Sequence, residues 1–170
     1  MKTLLLFRHA KSDWDAAFDL DHDRPLNKRG KREAKRMGQY LSAVGILPGS
    51  VVTSSAARAV KTVELAAAAG DWSCEIEIDE SLYEADPPRI LALIQEQPDS
   101  NDRLLLAGHE PSFSETASLL IGGGSLRFPT AAIACIEFEA ARWADVRAAG
   151  GRLAWLLTPK LLPKAGTEDR

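Results

Sequence analysis

The apolar run Leu4-Leu5-Leu6-Phe7 stops on the pair Arg8-His9. An unbroken run of this kind marks a strand covered on both faces, because a half-exposed strand alternates apolar and polar residues. Leu104-Leu105-Leu106-Ala107 has the same character and runs into Gly108-His109. Such strands belong to a sheet with helices on each side. Strand patterns fall at 2–7, 50–53, 75–78, 103–107, 132–138 and 152–157, with helical periodicity between them.

Over 27–44, Ala34, Met37, Leu41 and Val44 form one apolar stripe, while Lys28, Lys31, Arg32, Lys35 and Arg36 occupy the remaining surface. Ser54 and Ser55 are candidate caps for a helix through Ala69. Asp86-Pro87-Pro88 predicts the cap and first turn of a helix through Gln97. Ser112-x-x-Glu115 matches a capping box for a helix stopped by Gly122-Gly123-Gly124. The alternation predicts an α/β layered domain with a mostly parallel central sheet that ends in an antiparallel pair.

At 170 residues, with 45% apolar and 26% charged side chains, the chain is expected to form one domain over 1–158. The polar, Pro- and Gly-containing tail 159–170 is expected to be partly disordered. A net charge of -3 gives no global attraction to nucleic acid or acidic membranes, so any affinity for anions must be local. Only Thr3 to Phe7 separate Lys2 from Arg8, too short for a signal-peptide core, and no later run reaches membrane-span length. A cytoplasmic location is the resulting expectation. Cys74 and Cys135 lack CxxC spacing and sit in strand-like surroundings, as buried free thiols do.

In open parallel sheets, ligands bind beyond the carboxyl ends of the strands. Here one strand runs into Arg8-His9, a second into TSSAARAVKT with Arg58 in the following helical turn, and a third into AGHEP with His109. If these strands are neighbours, two arginines and two histidines meet at one sheet edge, near helix N-termini that favour an anion. That set has the composition of a phosphate pocket. Guanidinium forks match phosphate oxygens and stay charged, which suits Arg8 and Arg58 to clamping. Positive neighbours keep His9 neutral and able to accept a phosphoryl group on a ring nitrogen, while His109 can donate to the equatorial oxygens. Taken singly, each of these residues has an ordinary structural explanation. Three strand ends selecting the same ligand chemistry argue otherwise.

LLLFRHAKS, DHDRPLNKRGKREAKRMG, VVTSSAARAVKT, LYEADPPRILALI and LLLAGHEPSFSETASLL together resemble the histidine phosphatase superfamily, in particular its small SixA-type phosphohistidine phosphatases. The resemblance covers nearly the whole chain. It implies a three-layer α/β/α sandwich of phosphoglycerate mutase type and a covalent phosphohistidine intermediate formed with no metal or other cofactor. It further implies His9 as nucleophile, Arg8 and Arg58 as phosphate ligands and His109 as a phosphate contact. Ala10 stands where the superfamily's first motif commonly has glycine, as it often does in SixA-like members.

Larger members also place a carboxylic acid near the pocket, for which Glu84 in LYEAD is the nearest candidate; Asp86 is better explained as a helix cap. An alkoxide leaving group needs that proton, whereas imidazole leaving a phosphohistidine is a far better leaving group. A missing acid and little room for lid insertions both favour phosphohistidine borne on a protein over small phosphate esters. A noncatalytic phosphate-binding module is the competing class, and the intact His9 argues against it. A zinc site from His9, His22 and His109 is weaker, because the arginines would repel a cation.

Asp21-His22-Asp23-Arg24 reads as a loop network in which Arg24 can reach the pocket rim and His22 can contact substrate. Ser12 can hydrogen-bond phosphate. Trp14 packs the loop or, if exposed, can meet a partner protein.

Overall fold

The structure, a computed structural model, describes residues 1–163. In chain order its elements are β1 (Lys2–Arg8), α1 (Lys28–Ala43), β2 (Ser50–Ser54), α2 (Ala57–Gly70), β3 (Ile76–Asp79), α3 (Pro87–Gln95), β4 (Arg103–Gly108), α4 (Ser112–Ile121), β5 (Ile133–Phe138) and β6 (Gly151–Leu157). The strands form one sheet in the order β3-β2-β4-β1-β5-β6. β3, β2, β4 and β1 pair in parallel; β5 runs antiparallel to β1, and β6 antiparallel to β5.

The period of two along the strands divides the core. Leu4 and Leu6 of β1 and Leu104 and Leu106 of β4 face one layer with α3 and α4. Leu5 and Phe7, with Leu105 and Ala107, face the other with α1 and α2. Both faces of β1 and β4 are therefore sealed, which explains their unbroken apolar sequences. The architecture is a three-layer α/β/α sandwich with a mostly parallel sheet.

Helix α1 lies unusually close to its neighbours at two glycines. A Cβ at Gly38 would fall 2.0 Å from the Ala66 carbonyl oxygen of α2, and one at Gly30 would fall 2.1 Å from the Lys11 carbonyl oxygen. The second approach presses the helix against the segment that follows His9, so it fixes the entry to the strand end.

Helix starts differ from the predicted caps in two places. Asp86 does cap α3, accepting from the Arg89 N–H, and Asn27 caps α1 through the Gly30 N–H. At α2 neither Ser54 nor Ser55 caps; Ala56 occupies the N-cap, and Ser54 is drawn into the sheet end. At α4 the capping box Ser112-x-x-Glu115 does not form. Glu110 instead accepts from both the N–H and the hydroxyl of Ser114, so the stabilising carboxylate lies upstream of the helix. Ordered structure also continues beyond 158: Pro159–Leu161 form a 3-10 turn and Leu162 is buried on the α1 side. The rest of the tail, 164–170, lies outside the described residues. Cys135 is buried, Cys74 half-buried, and both are free thiols.

Candidate active site

The parallel register brings the strand ends together. Arg8 is the partner of Gly108, the His9 N–H donates to the Gly108 carbonyl at 3.0 Å, and β2 pairs on the other side of β4. Arg8, His9, Arg58 and His109 consequently line one pocket of about 220 Å³. Lys11, Ser12, Trp14, Arg24, Glu110 and Thr130 complete its lining. A larger cleft of about 620 Å³ lies elsewhere, between Pro87, Ser118 and Leu126, and has Glu115 as its sole ionisable side chain. Chemistry, and not size, distinguishes the smaller pocket.

His9 is buried, and its Nδ1 lies 2.8 Å from the Ala10 carbonyl oxygen. A carbonyl can only accept, so Nδ1 carries the proton and Nε2 keeps its lone pair. Burial is the main reason that its pKa falls to about 3; His109, Arg58 and Arg8 lower it further, and the Ala10 hydrogen bond partly opposes them. The neutral state expected from positive neighbours is thus secured first by desolvation.

The His109 ring centre is 5.2 Å from that of His9. Its Nε2 lies 2.8 Å from Ser54 Oγ, which accepts the Ala56 N–H at 3.2 Å. A hydroxyl oxygen has two lone pairs, so Ser54 can accept from Ala56 and still either donate to or accept from Nε2. Nδ1 of His109 is a buried atom with no hydrogen-bond partner among the described residues. Burial, followed by Arg58, lowers the His109 pKa to about 4 against the opposing charge of Asp21.

The arginines are held from behind. Arg8 Nη1 donates to the Phe128 carbonyl at 2.9 Å. Burial lowers its pKa from the ordinary value, with Glu110 opposing the shift. Arg58 donates through Nη1 to the Asp21 carbonyl at 2.8 Å and through Nη2 to Asp21 Oδ2 at 3.0 Å. Asp21 Oδ1 also takes Arg24 Nη2 at 2.8 Å, and Oδ2 takes the Tyr83 hydroxyl at 2.8 Å. These donors, Arg24 foremost, hold the Asp21 carboxyl well below the usual carboxylate range. One carboxylate thus joins two arginines and a tyrosine.

The Asp21-His22-Asp23-Arg24 loop is the expected network, with His22 Nε2 bonded to Ser55 Oγ at 2.8 Å. Arg24 reaches the pocket lining, bonds the Ser12 hydroxyl and stacks 3.7 Å from the Trp14 ring centre. Trp14 is 64% exposed, so it presents its other surface to solvent. Glu84 is exposed and absent from the pocket lining, whereas Glu110 is in it. The sequence assigned Tyr83 no role, placed Asp21 only within the charged loop and Ser54 only as a helix cap, and offered for Glu110 only its position directly after His109. Among the described residues, no group of three His, Cys, Asp or Glu is placed to hold a metal ion, and no helix is long and apolar enough to cross a membrane.

Residues 4–116 match the model of the histidine phosphatase superfamily, branch 1. An uncharacterized protein of Mycobacterium tuberculosis is 36% identical over 163 residues, covering 90% of this chain and 99% of that one. A solved structure of a candidate phosphohistidine phosphatase SixA from Nakamurella multipartitia is 31% identical, covers 93% of this chain and 96% of its own, and superposes with a TM-score of 0.78. A second candidate SixA, from Agrobacterium tumefaciens, is 27% identical over 93% of this chain and 98% of its own, also with a TM-score of 0.78. With its motif-bearing strand ends gathered into one pocket and these relatives spanning nearly its whole length, the chain belongs to the histidine phosphatase superfamily and is of the SixA type.

Proposed function

We propose that this chain removes the phosphoryl group from phosphohistidine in a protein, by way of a phosphorylated His9 and without a metal. The observation that carries the proposal is the His9 ring itself, with Nδ1 committed to Ala10 and the Nε2 lone pair free in a pocket shared with Arg8 and Arg58. Nε2 attacks phosphorus as the bond from phosphorus to the substrate imidazole breaks. The other nitrogen of the substrate ring is protonated from solvent before the bond breaks, so the electron pair stays on the departing nitrogen and neutral imidazole leaves. Arg8, Arg58 and the His109 ring balance the charge on the equatorial oxygens. Water then attacks phosphorus, the bond to His9 breaks, and inorganic phosphate leaves with His9 again neutral.

Two features support phosphohistidine as the substrate. Glu84 is exposed outside the pocket lining, and both carboxylate oxygens of Glu110 are engaged by Ser114. Neither is arranged to protonate an alkoxide, a need not shared by imidazole, which leaves neutral with its other nitrogen protonated and has a conjugate-acid pKa of ~6.5. In addition, a pocket of about 220 Å³ holds little beyond a phosphoryl group and a ring, leaving the remainder of the substrate outside.

The test is incubation with phosphohistidine peptide carrying labelled phosphate, followed by an alkaline quench that preserves phosphohistidine. The parent should show acid-labile, alkali-stable label and turnover, and His9→Ala neither. Parent-like turnover in His9→Ala would overturn the covalent mechanism. Turnover of an ester but not the peptide would assign the chain to small phosphate esters, and retained phosphate binding with no turnover of either would make it a binding module.

A further inference from the structure

A second cleft, of about 370 Å³, adjoins the His9 pocket and shares Thr130 with it. Arg29, Arg127 and Lys160 bring positive charge to its walls, and Pro129, Pro159 and Leu161 supply apolar surface. Arg29 is paired with Glu33 at 2.9 Å. Arg127 and Lys160 are exposed and make no side-chain hydrogen bond or ion pair among the described residues. Leu161 is 70% exposed and adds apolar surface beside these cations. In a chain of net charge -3, this is a local excess of positive charge next to the phosphoryl pocket.

The partition between cleft and pocket is rigidly tied to the site. The Phe128 carbonyl accepts from Arg8, the Ala131 N–H donates to the His9 carbonyl at 3.1 Å, and the Ala132 N–H donates to the Pro129 carbonyl at 3.0 Å. Ala131 is fully buried with φ of 60°, a left-handed conformation that a non-glycine residue keeps only where its surroundings impose it. Anything seated in the cleft is therefore at a fixed position relative to His9. The 620 Å³ cleft at Pro87 and Ser118 offers no such link: it shares no lining residue with the pocket and presents Glu115 instead of cations.

We infer that the Arg127–Lys160 cleft seats the polypeptide flanking the phosphorylated histidine of a protein substrate, and that acidic residues in this flanking segment pair with the two cations. The inference rests on the phosphohistidine-protein reading proposed above. The small pocket accommodates the reacting group, so the rest of a protein substrate must lie on adjoining surface, and this cleft shares a lining residue with the pocket and carries two cations paired with no described side chain. Exposed pairs of this kind act chiefly on association and selectivity, and salt screens them.

The experiment compares the parent with an Arg127→Glu/Lys160→Glu double variant on three substrates. These are free phosphohistidine, a phosphohistidine peptide with Asp and Glu beside the modified residue, and the same peptide with Ser and Gln there. The parent should prefer the acidic peptide. The variant should keep parent kcat/KM on free phosphohistidine, which also reports intact folding, and lose about tenfold on the acidic peptide. The loss should be small on the neutral peptide and should shrink as salt is raised. Equal losses on all three substrates, or a parent indifferent to flanking charge, would overturn the cleft assignment while leaving the phosphohistidine reading standing. A parent that turns over none of the three would overturn that reading, and the cleft assignment with it.

Discussion

Asp21 Oδ2 accepts a hydrogen bond from Arg58 Nη2 at 3.0 Å, while the Asp21 main-chain oxygen accepts from Nη1 at 2.8 Å. A single loop residue thereby fixes both terminal nitrogens of an arginine that reaches the pocket from the first turn of α2. The same carboxylate holds Arg24 and the Tyr83 hydroxyl, so one side chain outside the pocket lining orients two of its four cations.

Asp21→Ala should lower kcat/KM about tenfold, the scale of one charge-assisted hydrogen bond, because Arg58 and Arg24 lose their common anchor. Asp21→Asn retains an acceptor without the charge and should fall between parent and alanine. The carboxylate is half-exposed, so the change in thermal midpoint should stay within about 4 °C. A large fall in midpoint with unchanged kinetics would show that Asp21 braces the loop and not the pocket.

Ser54→Ala tests how His109 is presented. The hydroxyl is the partner of Nε2, and without it the buried ring can carry its proton on either nitrogen. The expected result is a roughly tenfold fall in kcat with little change in KM, as for a contact that strengthens when charge spreads in the transition state. Nitrogen chemical shifts of the His109 ring should show a mixture of tautomers. A parent-like tautomer together with reduced kcat would mean that Ser54 acts some other way.

The continuous apolar sequences of β1 and β4 made the sandwich legible, since few architectures cover both faces of a strand. Arg8, His9, Arg58 and His109 were legible because strand ends in parallel sheets face one way, so their convergence follows from topology. Asp21 and Ser54 were not. Each acts through a partner distant in the chain, Arg58 for one and His109 for the other, and neither stands out by type in its own loop or strand. The same distance hid the Glu110 contact with Ser114, which replaced the capping box expected from Ser112 and Glu115. Local patterns identify local partners, and tertiary packing chose others.

The two buried histidines make stability depend on pH. Their folded pKa values, about 3 for His9 and about 4 for His109, lie below the unfolded value of 6.5. Between those limits the unfolded chain binds more protons, so stability is complete above pH ~6.5 and falls as pH drops below it. At pH 5 the loss should be about 2 kcal/mol per histidine. Urea unfolding of the parent at pH 7.5 and 5, compared with His9→Gln, measures it; the variant should lose roughly half as much in this range. Identical losses would show that His9 does not remain neutral in the folded protein. The same low pKa predicts no acid limb from the nucleophile between about pH 5 and 8 in kcat/KM, once ionisation of the substrate phosphoryl group is allowed for.

The two glutamates separate the leaving groups. Glu84→Gln should leave turnover of both an aryl ester and a phosphohistidine peptide within about twofold of the parent, because the side chain is exposed outside the pocket lining. Glu110→Gln is the sharper case, since Glu110 lines the pocket and its charge opposes the lowering of the Arg8 pKa. An amide keeps one acceptor for Ser114 but removes the negative charge beside Arg8. If Glu110 serves only to hold the start of α4 and balance Arg8, both substrates should lose activity in the same proportion, by less than about tenfold. A general acid behaves differently: its loss is felt most where the leaving oxygen is most basic and least where imidazole leaves. The ratio of alkyl-ester to phosphohistidine kcat/KM in Glu110→Gln is therefore decisive. An unchanged ratio supports a pocket that relies on the leaving group's own stability, and a selective collapse on the ester would make Glu110 the proton donor that Glu84 is not placed to be.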